Sequence, residues 1–212
     1  MNFIGPNLWV SLHAVAFYYD PRDATTFRNW IGTISILIPC RKCRQHMRQN
    51  LRTYPLTDHD LASSANLFKW TYKLHDHVNV QLGKSQRPSL ANAIHFYQQY
   101  PLSKIGRAFW NTLHSLAIYL QPTQRAVYSR FVRYLFDLLP SAQWRRNIDI
   151  VERSLPLFTH ISGLQIFMWS VMLHNRINYI IGKREVSFRD AALAYVNALK
   201  LSVNNNNNNE LS

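Results

Sequence analysis

Apolar residues recur at helical spacing along most of the chain, and the alternation typical of strands is rare. Near the N-terminus, Leu8, Leu12 and Val15 follow one another at intervals of four and three residues, which places them on one helix face. Short polar residues and prolines divide the chain into similar segments; Asp20 before Pro21 is one such helix start. The pattern predicts an all-α fold that requires no strand. The predicted helices are a segment around 8–16 and residues 20–37, 40–53, 58–82, 88–99, 104–120, 123–138, 141–154, 162–181 and 187–201.

The same helical unit occurs twice in the sequence. An offset of 101 residues aligns Trp9/Trp110, Leu12/Leu113, His13/His114, Ala16/Ala117, Pro39/Pro140 and Arg44/Arg145. After a two-residue deletion, the aligned pairs are Phe68/Phe167, Trp70/Trp169, His75/His174, Asn79/Asn178, Gly83/Gly182 and Lys84/Lys183. This conserved order indicates a tandem duplication of a unit of about 100 residues. We predict units at 1–102 and 103–203, followed by a disordered, asparagine-rich tail at 204–212.

Only the first unit contains cysteine. Cys40 and Cys43 form a Cys-x-x-Cys motif, and the aligned residues of the second unit are Ser141 and Trp144. Such a pair can form a small disulfide that exchanges readily. A position at the start of a helix and basic neighbours would both favour the thiolate. Those neighbours are Arg41, Lys42, Arg44 and Arg48. An inert buried pair is the alternative at this point.

A second set of residues suits a nucleotide. His75 and Asn79 lie one turn apart, so both project from one face of the fourth predicted helix. Trp70 precedes them and Lys84 follows the helix end, which adds a stacking surface and a cation. The combination suits an adenine ring joined to a pyrophosphate. A purely structural role for the histidine and asparagine is the alternative.

Composition narrows the class of protein. With 212 residues, 47% of them hydrophobic, the chain can bury a core. No apolar run approaches the ~20 residues of a spanning helix, and the N-terminus lacks a secretory signal pattern. We therefore expect a cytoplasmic or nuclear protein that is not secreted. The net charge of +13 is spread over both halves, which is typical of a solvated surface and not of a nucleic-acid-binding arm.

A non-enzymatic alternative also fits the residues. The chain would then be a basic scaffold or interaction protein whose Cys-x-x-Cys motif is structural or binds zinc. Cys40, Cys43 and His46, with His75 or His77, would supply four zinc ligands. Tight spacing of the last ligands is missing, and zinc does not explain the repeated tryptophan and histidine.

The ordered motifs resemble those of the FAD-dependent sulfhydryl oxidases of the Erv/ALR family. The motifs are Trp9-x-x-Leu12-His13, Pro39-Cys40-x-x-Cys43-x-x-His46 and Leu74-His75-x-x-Val78-Asn79-x-x-Leu82-Gly83-Lys84, covering about residues 5–100. The resemblance implies a four-helix bundle with a short fifth helix that cradles FAD. The second unit resembles the redox-inactive domain of quiescin-type sulfhydryl oxidases. This resemblance implies two tandem bundles that form an internal pseudo-dimer. Large DNA viruses encode compact enzymes of this type, so the resemblance also admits a virion or an infected host cell.

The resemblance also implies residue roles. Cys40 would be attacked by a substrate thiolate, and Cys43 would pass electrons to the flavin and then to oxygen, giving hydrogen peroxide. The implied FAD-contacting residues are Trp9, His13, His46, His75, Asn79 and Lys84, and no metal is implied. The expected electron donors are protein dithiols or a thioredoxin-like carrier, since there is no third cysteine to form a relay. Further homo-oligomerisation remains open, and we expect no functional flavin in the second unit.

Two positions depart from the family pattern. Asp76 stands where the family usually has asparagine, and Ile38 stands where a tyrosine often precedes the Pro-Cys pair. The second unit, in contrast, keeps the usual histidine–asparagine pair as His174 and Asn175.

Overall fold

A computed structural model describes residues 4–157 and 162–193. Within those ranges the chain forms helices and no β-strand, which confirms the all-α prediction. The α-helices are α1 (Ile4–Phe17), α2 (Ala24–Leu37), α3 (Arg41–Thr53), α4 (Asp58–Leu61), α5 (Ser64–Gln81), α6 (Leu90–Gln99), α7 (Leu102–Ile118), α8 (Arg125–Asp137), α9 (Ala142–Glu152) and α10 (Gly163–Ile180). Residues 188–193 are helical as predicted. The rest of the predicted helix at 187–201 and the predicted tail at 204–212 lie outside the described residues.

The predicted helix at 58–82 is two helices in the structure. Thr57 and Asp60 form a capping box that starts the short α4. Ser63 then takes an extended conformation, and its side chain accepts a hydrogen bond from the Asn66 backbone N–H at 3.1 Å, so α5 begins afresh. The single-helix prediction was wrong because a second cap, Ser63, starts a new helix only six residues after Thr57 although the apolar pattern continues unbroken.

The start of α2 also differs from the prediction. Asp20 accepts the backbone N–H of Arg22 at 2.9 Å and caps a 3-10 turn at Pro21–Asp23. The α-helix itself starts at Ala24. Proline at the first position suits either kind of helix, and therefore did not reveal the tighter turn.

The two units meet across equivalent helices, with α1 packed on α7 and α2 packed on α8. Ser11 Oγ lies 3.3 Å from Thr112 Oγ1, and Trp30 stacks on Phe131 with ring centroids 5.8 Å apart. In each pair, a residue contacts its own counterpart in the repeat. Such self-pairing is what an approximate two-fold axis produces. It supports the interpretation of the two units as an internal pseudo-dimer.

A hydrophobic core runs through both units. Trp30 and Phe131 are fully buried at the junction of α2 and α8, so neither unit completes this part of its core alone. No helix in the described parts of the chain has the length and apolar character needed to cross a membrane.

Replacing Phe131 with alanine should lower the free energy of unfolding by ~3–5 kcal/mol, because it leaves a cavity where the two units meet. Phe96→Ala makes the same chemical change at a position that is 49% exposed, and is expected to lose no more than ~1 kcal/mol. Denaturant unfolding followed by circular dichroism measures both. Equal losses in the two variants would show that the junction contributes nothing special to stability.

Candidate active site

A disulfide lies at the start of α3. Cys40 is the N-cap residue of this helix and is bonded to Cys43, with the two Cα atoms 5.2 Å apart. Cys40 Sγ also accepts a hydrogen bond from the backbone N–H of Cys43 at 3.1 Å. Both residues are half-buried, and Cys43 packs against the hydrophobic core. One sulfur therefore lies at a helix N-terminus, where the helix dipole favours a thiolate, and the other faces the core.

Arg44 holds the turn that leads into the disulfide. Its Nη1 donates hydrogen bonds to the carbonyl oxygens of Ile38 and Pro39, at 2.7 and 2.9 Å. Arg145 donates in the same way to the carbonyl oxygen of Leu139 in the second unit. Sequence reasoning assigned Arg44 only as a cationic neighbour of the thiols. The structure shows that its guanidinium also fixes the backbone before Cys40.

A stack of flat rings joins α1 to α5. The Trp9 and His75 rings are parallel to within 5°, with centroids 4.1 Å apart. His75 Nδ1 lies 3.0 Å from His13 Nε2, and His13 Nδ1 lies 3.0 Å from Thr71 Oγ1. Both ring nitrogens of the buried His13 are thus bonded within the protein, so His13 orients His75. Thr71 escaped sequence reasoning, although a hydroxyl is repeated at the aligned Ser170 and makes the same bond to its histidine.

Burial keeps these histidines neutral. Burial, with a smaller effect of His75, lowers the pKa of His13 to about 3. Burial, followed by the charge of Lys84, lowers the pKa of His75 to about 4. In the second unit, burial likewise lowers the pKa of His114 to about 3 and that of His174 to about 4. At neutral pH each pair is therefore uncharged, with one ring donating a hydrogen bond and the other accepting it.

The end of α5 brings Asn79 and Lys84 together. Gly83 has a φ of 66° and ends the helix, as predicted, and the Lys84 N–H then donates to the Asn79 carbonyl oxygen at 3.0 Å. The side-chain Oδ1 of Asn79 is buried and has no hydrogen-bond partner among the described residues. Leaving such an acceptor unpaired costs about 1–3 kcal/mol. A ligand that donates a hydrogen bond would complete this site.

Trp70 does not belong to this surface. It is 4% exposed, its Nε1 donates to the Tyr54 carbonyl oxygen at 3.2 Å, and its ring meets Phe27 edge-on. The prediction that Trp70 stacks on a ligand was wrong, because its place on α5 turns it into the core. Trp9 is half-buried and supplies the flat surface instead.

In the second unit, the residues aligned with the predicted FAD-contacting positions lie around one cavity. A cavity of about 460 Å³ there is lined by Trp110, Trp144, Asn147, His174, Asn178 and Lys183, among other residues. These six are the repeat counterparts of Trp9, Cys43, His46, His75, Asn79 and Lys84. Because the two units share their helix order, the same convergence is expected in the first unit. His46 and Lys84 are exposed there.

The structure offers no geometry for the zinc alternative. Within residues 4–157 and 162–193, no three or more His, Cys, Asp or Glu side chains are placed to hold a metal ion. His77 instead lies against two residues of its own unit, 3.1 Å from Gln81 Nε2 and 3.5 Å from the Tyr54 hydroxyl.

Comparisons with known proteins agree on one family. The model of the Erv1/Alr family matches residues 6–101. Over 80 residues the chain is 38% identical to the probable FAD-linked sulfhydryl oxidase of Acanthamoeba polyphaga mimivirus, a match that covers 36% of this chain and 56% of that protein. The chain thus spans little more than half of that relative. No solved structure matches it.

Two further relatives carry the same kind of name. Over 86 residues the chain is 33% identical to the FAD-linked sulfhydryl oxidase of African swine fever virus, covering 38% of this chain and 68% of that protein. Over 88 residues it is 32% identical to an FAD-linked sulfhydryl oxidase of Oryza sativa subsp. japonica, covering 38% and 42%.

The histidine pairs predict a loss of stability in mild acid. The unfolded chain takes up protons as the pH falls through 6.5, whereas the native state resists them until the pH nears 4. Stability is therefore complete above pH 6.5 and declines below it. We expect the free energy of unfolding to fall by at least about 2 kcal/mol between pH 7 and pH 5.

Denaturant titrations at the two pH values measure this loss. The double variant His75→Gln/His174→Gln removes one histidine of each pair and should lose clearly less stability over the same interval. A wild-type stability that is equal at pH 7 and pH 5 would contradict the neutral-pair assignment.

Proposed function

The chain belongs to the Erv1/Alr family, and from this premise we propose that it is an FAD-dependent thiol oxidase that forms disulfides in dithiol substrates. The observation that carries the proposal is the Cys40–Cys43 disulfide at the N-terminus of α3. Its relatives of viral and plant origin are named FAD-linked sulfhydryl oxidases, which supports the same activity.

The residues of the first unit fit FAD. The parallel Trp9 and His75 rings offer a flat surface for an aromatic ring, and the unpaired Asn79 Oδ1 requires a donor such as a ring N–H or amino group. The Lys84 ammonium would pair with the pyrophosphate, and His46 would complete the rim from α3. His13 holds His75 from behind. The chemistry that bound FAD would supply is the transfer of two electrons from the reduced cysteines to oxygen, which is thereby reduced to hydrogen peroxide.

The protein's own contribution is thiol–disulfide exchange. A substrate thiolate attacks Cys40 Sγ, the Cys40–Cys43 bond breaks, and Cys43 leaves as a thiolate. A second substrate thiolate attacks the substrate sulfur of the mixed disulfide, forming the product disulfide and releasing Cys40 as a thiolate. Two electrons have then moved from the substrate to the cysteine pair. The Cys43 N–H and the start of α3 stabilise the Cys40 thiolate, which makes it a good leaving group.

We assign residues 1–102 as the catalytic domain and 103–203 as a degenerate domain that completes its core. The contacts of Ser11 and Trp30 with their own counterparts support this arrangement. Since Cys40 and Cys43 are the only cysteines of this sequence, electrons would come directly from protein dithiols or a thioredoxin-like carrier. The viral relatives favour a site of action in the host cytoplasm or nucleus, or in the virion.

Oxygen uptake with a dithiol substrate tests the assignment of the cysteines. Cys40→Ser and Cys43→Ser should each reduce it by more than ~100-fold while the purified protein stays yellow, because exchange needs both sulfurs. Ser141→Ala changes the matching N-cap of α9 in the second unit, and uptake should stay within about twofold of wild type. A colourless wild-type protein, or full uptake in Cys43→Ser, would overturn the proposal.

Asn79→Leu tests the cofactor contact. Leucine removes the unpaired buried acceptor, so the protein stripped of FAD should be at least as stable as wild type. FAD affinity should nevertheless fall by about tenfold or more, since a hydrogen bond to the ligand is lost. Asn92→Leu makes the same change at an exposed position of α6 and should alter neither quantity. Unchanged FAD affinity in Asn79→Leu would remove this residue from the site.

A further inference from the structure

The cavity of the second unit keeps the stacked and hydrogen-bonded rings found at the candidate site of the first unit. The Trp110 and His174 rings are stacked, with centroids 4.4 Å apart and an interplanar angle of 11°. His174 Nδ1 lies 3.1 Å from His114 Nε2, and His114 Nδ1 lies 2.8 Å from Ser170 Oγ. The residues that orient a flat ring in the first unit thus have equivalent contacts in the second unit, although the second unit has no cysteine. Holding a polar histidine pair in a core opposes its hydration, so packing alone does not favour it.

The charges around the cavity are of one sign. Arg107, Lys183 and Arg184 line it, and none of the described residues that line it is acidic. None of the three forms a salt bridge within the described parts of the chain. The remaining wall is largely apolar, with Leu113 and Ile148 among its members. A ligand that combines a flat ring with a compact anionic group matches this lining.

Trp144 makes this cavity different from the flavin site proposed in the first unit. It occupies the position of Cys43 in the repeat, its ring lies against Gly106, and it meets Phe109 edge-on with centroids 6.2 Å apart. A large indole therefore fills the side of the bundle on which the first unit carries its reactive sulfur. The stacking pair and the cations remain accessible beside it.

We infer that this cavity binds a purine nucleoside diphosphate and not a flavin. The base stacks on Trp110, an interaction that contributes about 1–3 kcal/mol for a base on an aromatic ring. Lys183, Arg184 and Arg107 bind the diphosphate. The inference uses only residues of the second unit. Its test on the FAD-loaded chain rests on the proposed function for FAD binding, yet ADP binding can fail while thiol oxidation is retained, so the two failures are distinguishable.

Isothermal titration calorimetry with ADP tests the inference. The full chain is first saturated with FAD, and the excess FAD is removed. We expect one ADP bound per chain with a Kd of ~100 μM or tighter, and no release of FAD. Lys183→Glu/Arg184→Glu changes two exposed side chains and should weaken ADP binding at least ~10-fold. The control Lys69→Glu/Lys73→Glu makes the same charge change on the exposed side of α5, and binding should stay within about twofold of wild type.

Two probes separate the parts of the ligand. Adenosine, which lacks the phosphates, and inorganic pyrophosphate, which lacks the base, should each bind at least ~10-fold more weakly than ADP. The inference is overturned if ADP does not bind at millimolar concentration, if its binding displaces FAD, or if both double variants bind alike. Two bound flavins per chain would also overturn the inference, because the isoalloxazine ring of the second flavin would then occupy the space of Trp144.

Discussion

A hydrogen bond between a buried and a half-buried imidazole ties each unit together. In the first unit it links His13 on α1 to His75 on α5, and in the second it links His114 on α7 to His174 on α10. Burial holds the rings neutral, so each bond persists without a counter-ion. The bond fixes the plane of the outer histidine, and a tryptophan stacks on that plane. The flat stacking surface proposed for a ligand ring is set by this orientation.

The two units carry different residues at one position of the same scaffold. Where Cys43 stands at the third helix, a disulfide can exchange with thiols beside a flat-ring site. Where Trp144 stands at the equivalent place, the sulfur chemistry is gone and a lined cavity remains. α1 and α7, which carry the inner histidines, also pack on each other.

The sequence revealed what periodicity and repetition encode. Most of the helices and the stop at Gly83 followed from spacing, because these depend on local backbone preferences. The break at Ser63 was missed because a serine cap is a local hydrogen bond hidden within an unbroken apolar pattern. Trp70 was misplaced because its side-chain direction depends on packing against Phe27, which is distant in sequence. Thr71 was visible only as a hydroxyl repeated in both units.

The motifs predict which residues form the site, and that membership stays a prediction. The order in which these residues touch comes from tertiary contact: Trp9 on His75, His75 on His13, His13 on Thr71. The cavity of the second unit had no signal in the sequence beyond the retained tryptophan, histidine, asparagine and lysine. Its positive lining depends on Arg107 and Arg184, which have no basic counterparts in the first unit.

An anaerobic titration of the visible flavin absorption with a dithiol tests the central claim most directly. We predict that the yellow colour bleaches with no more than two dithiols per flavin in the wild-type protein, because the Cys40–Cys43 disulfide and FAD each take up two electrons, and that it persists in Cys43→Ser. Colour that survives excess dithiol in the wild type, or that bleaches equally fast in the serine variant, would contradict an electron path through the Cys40–Cys43 pair.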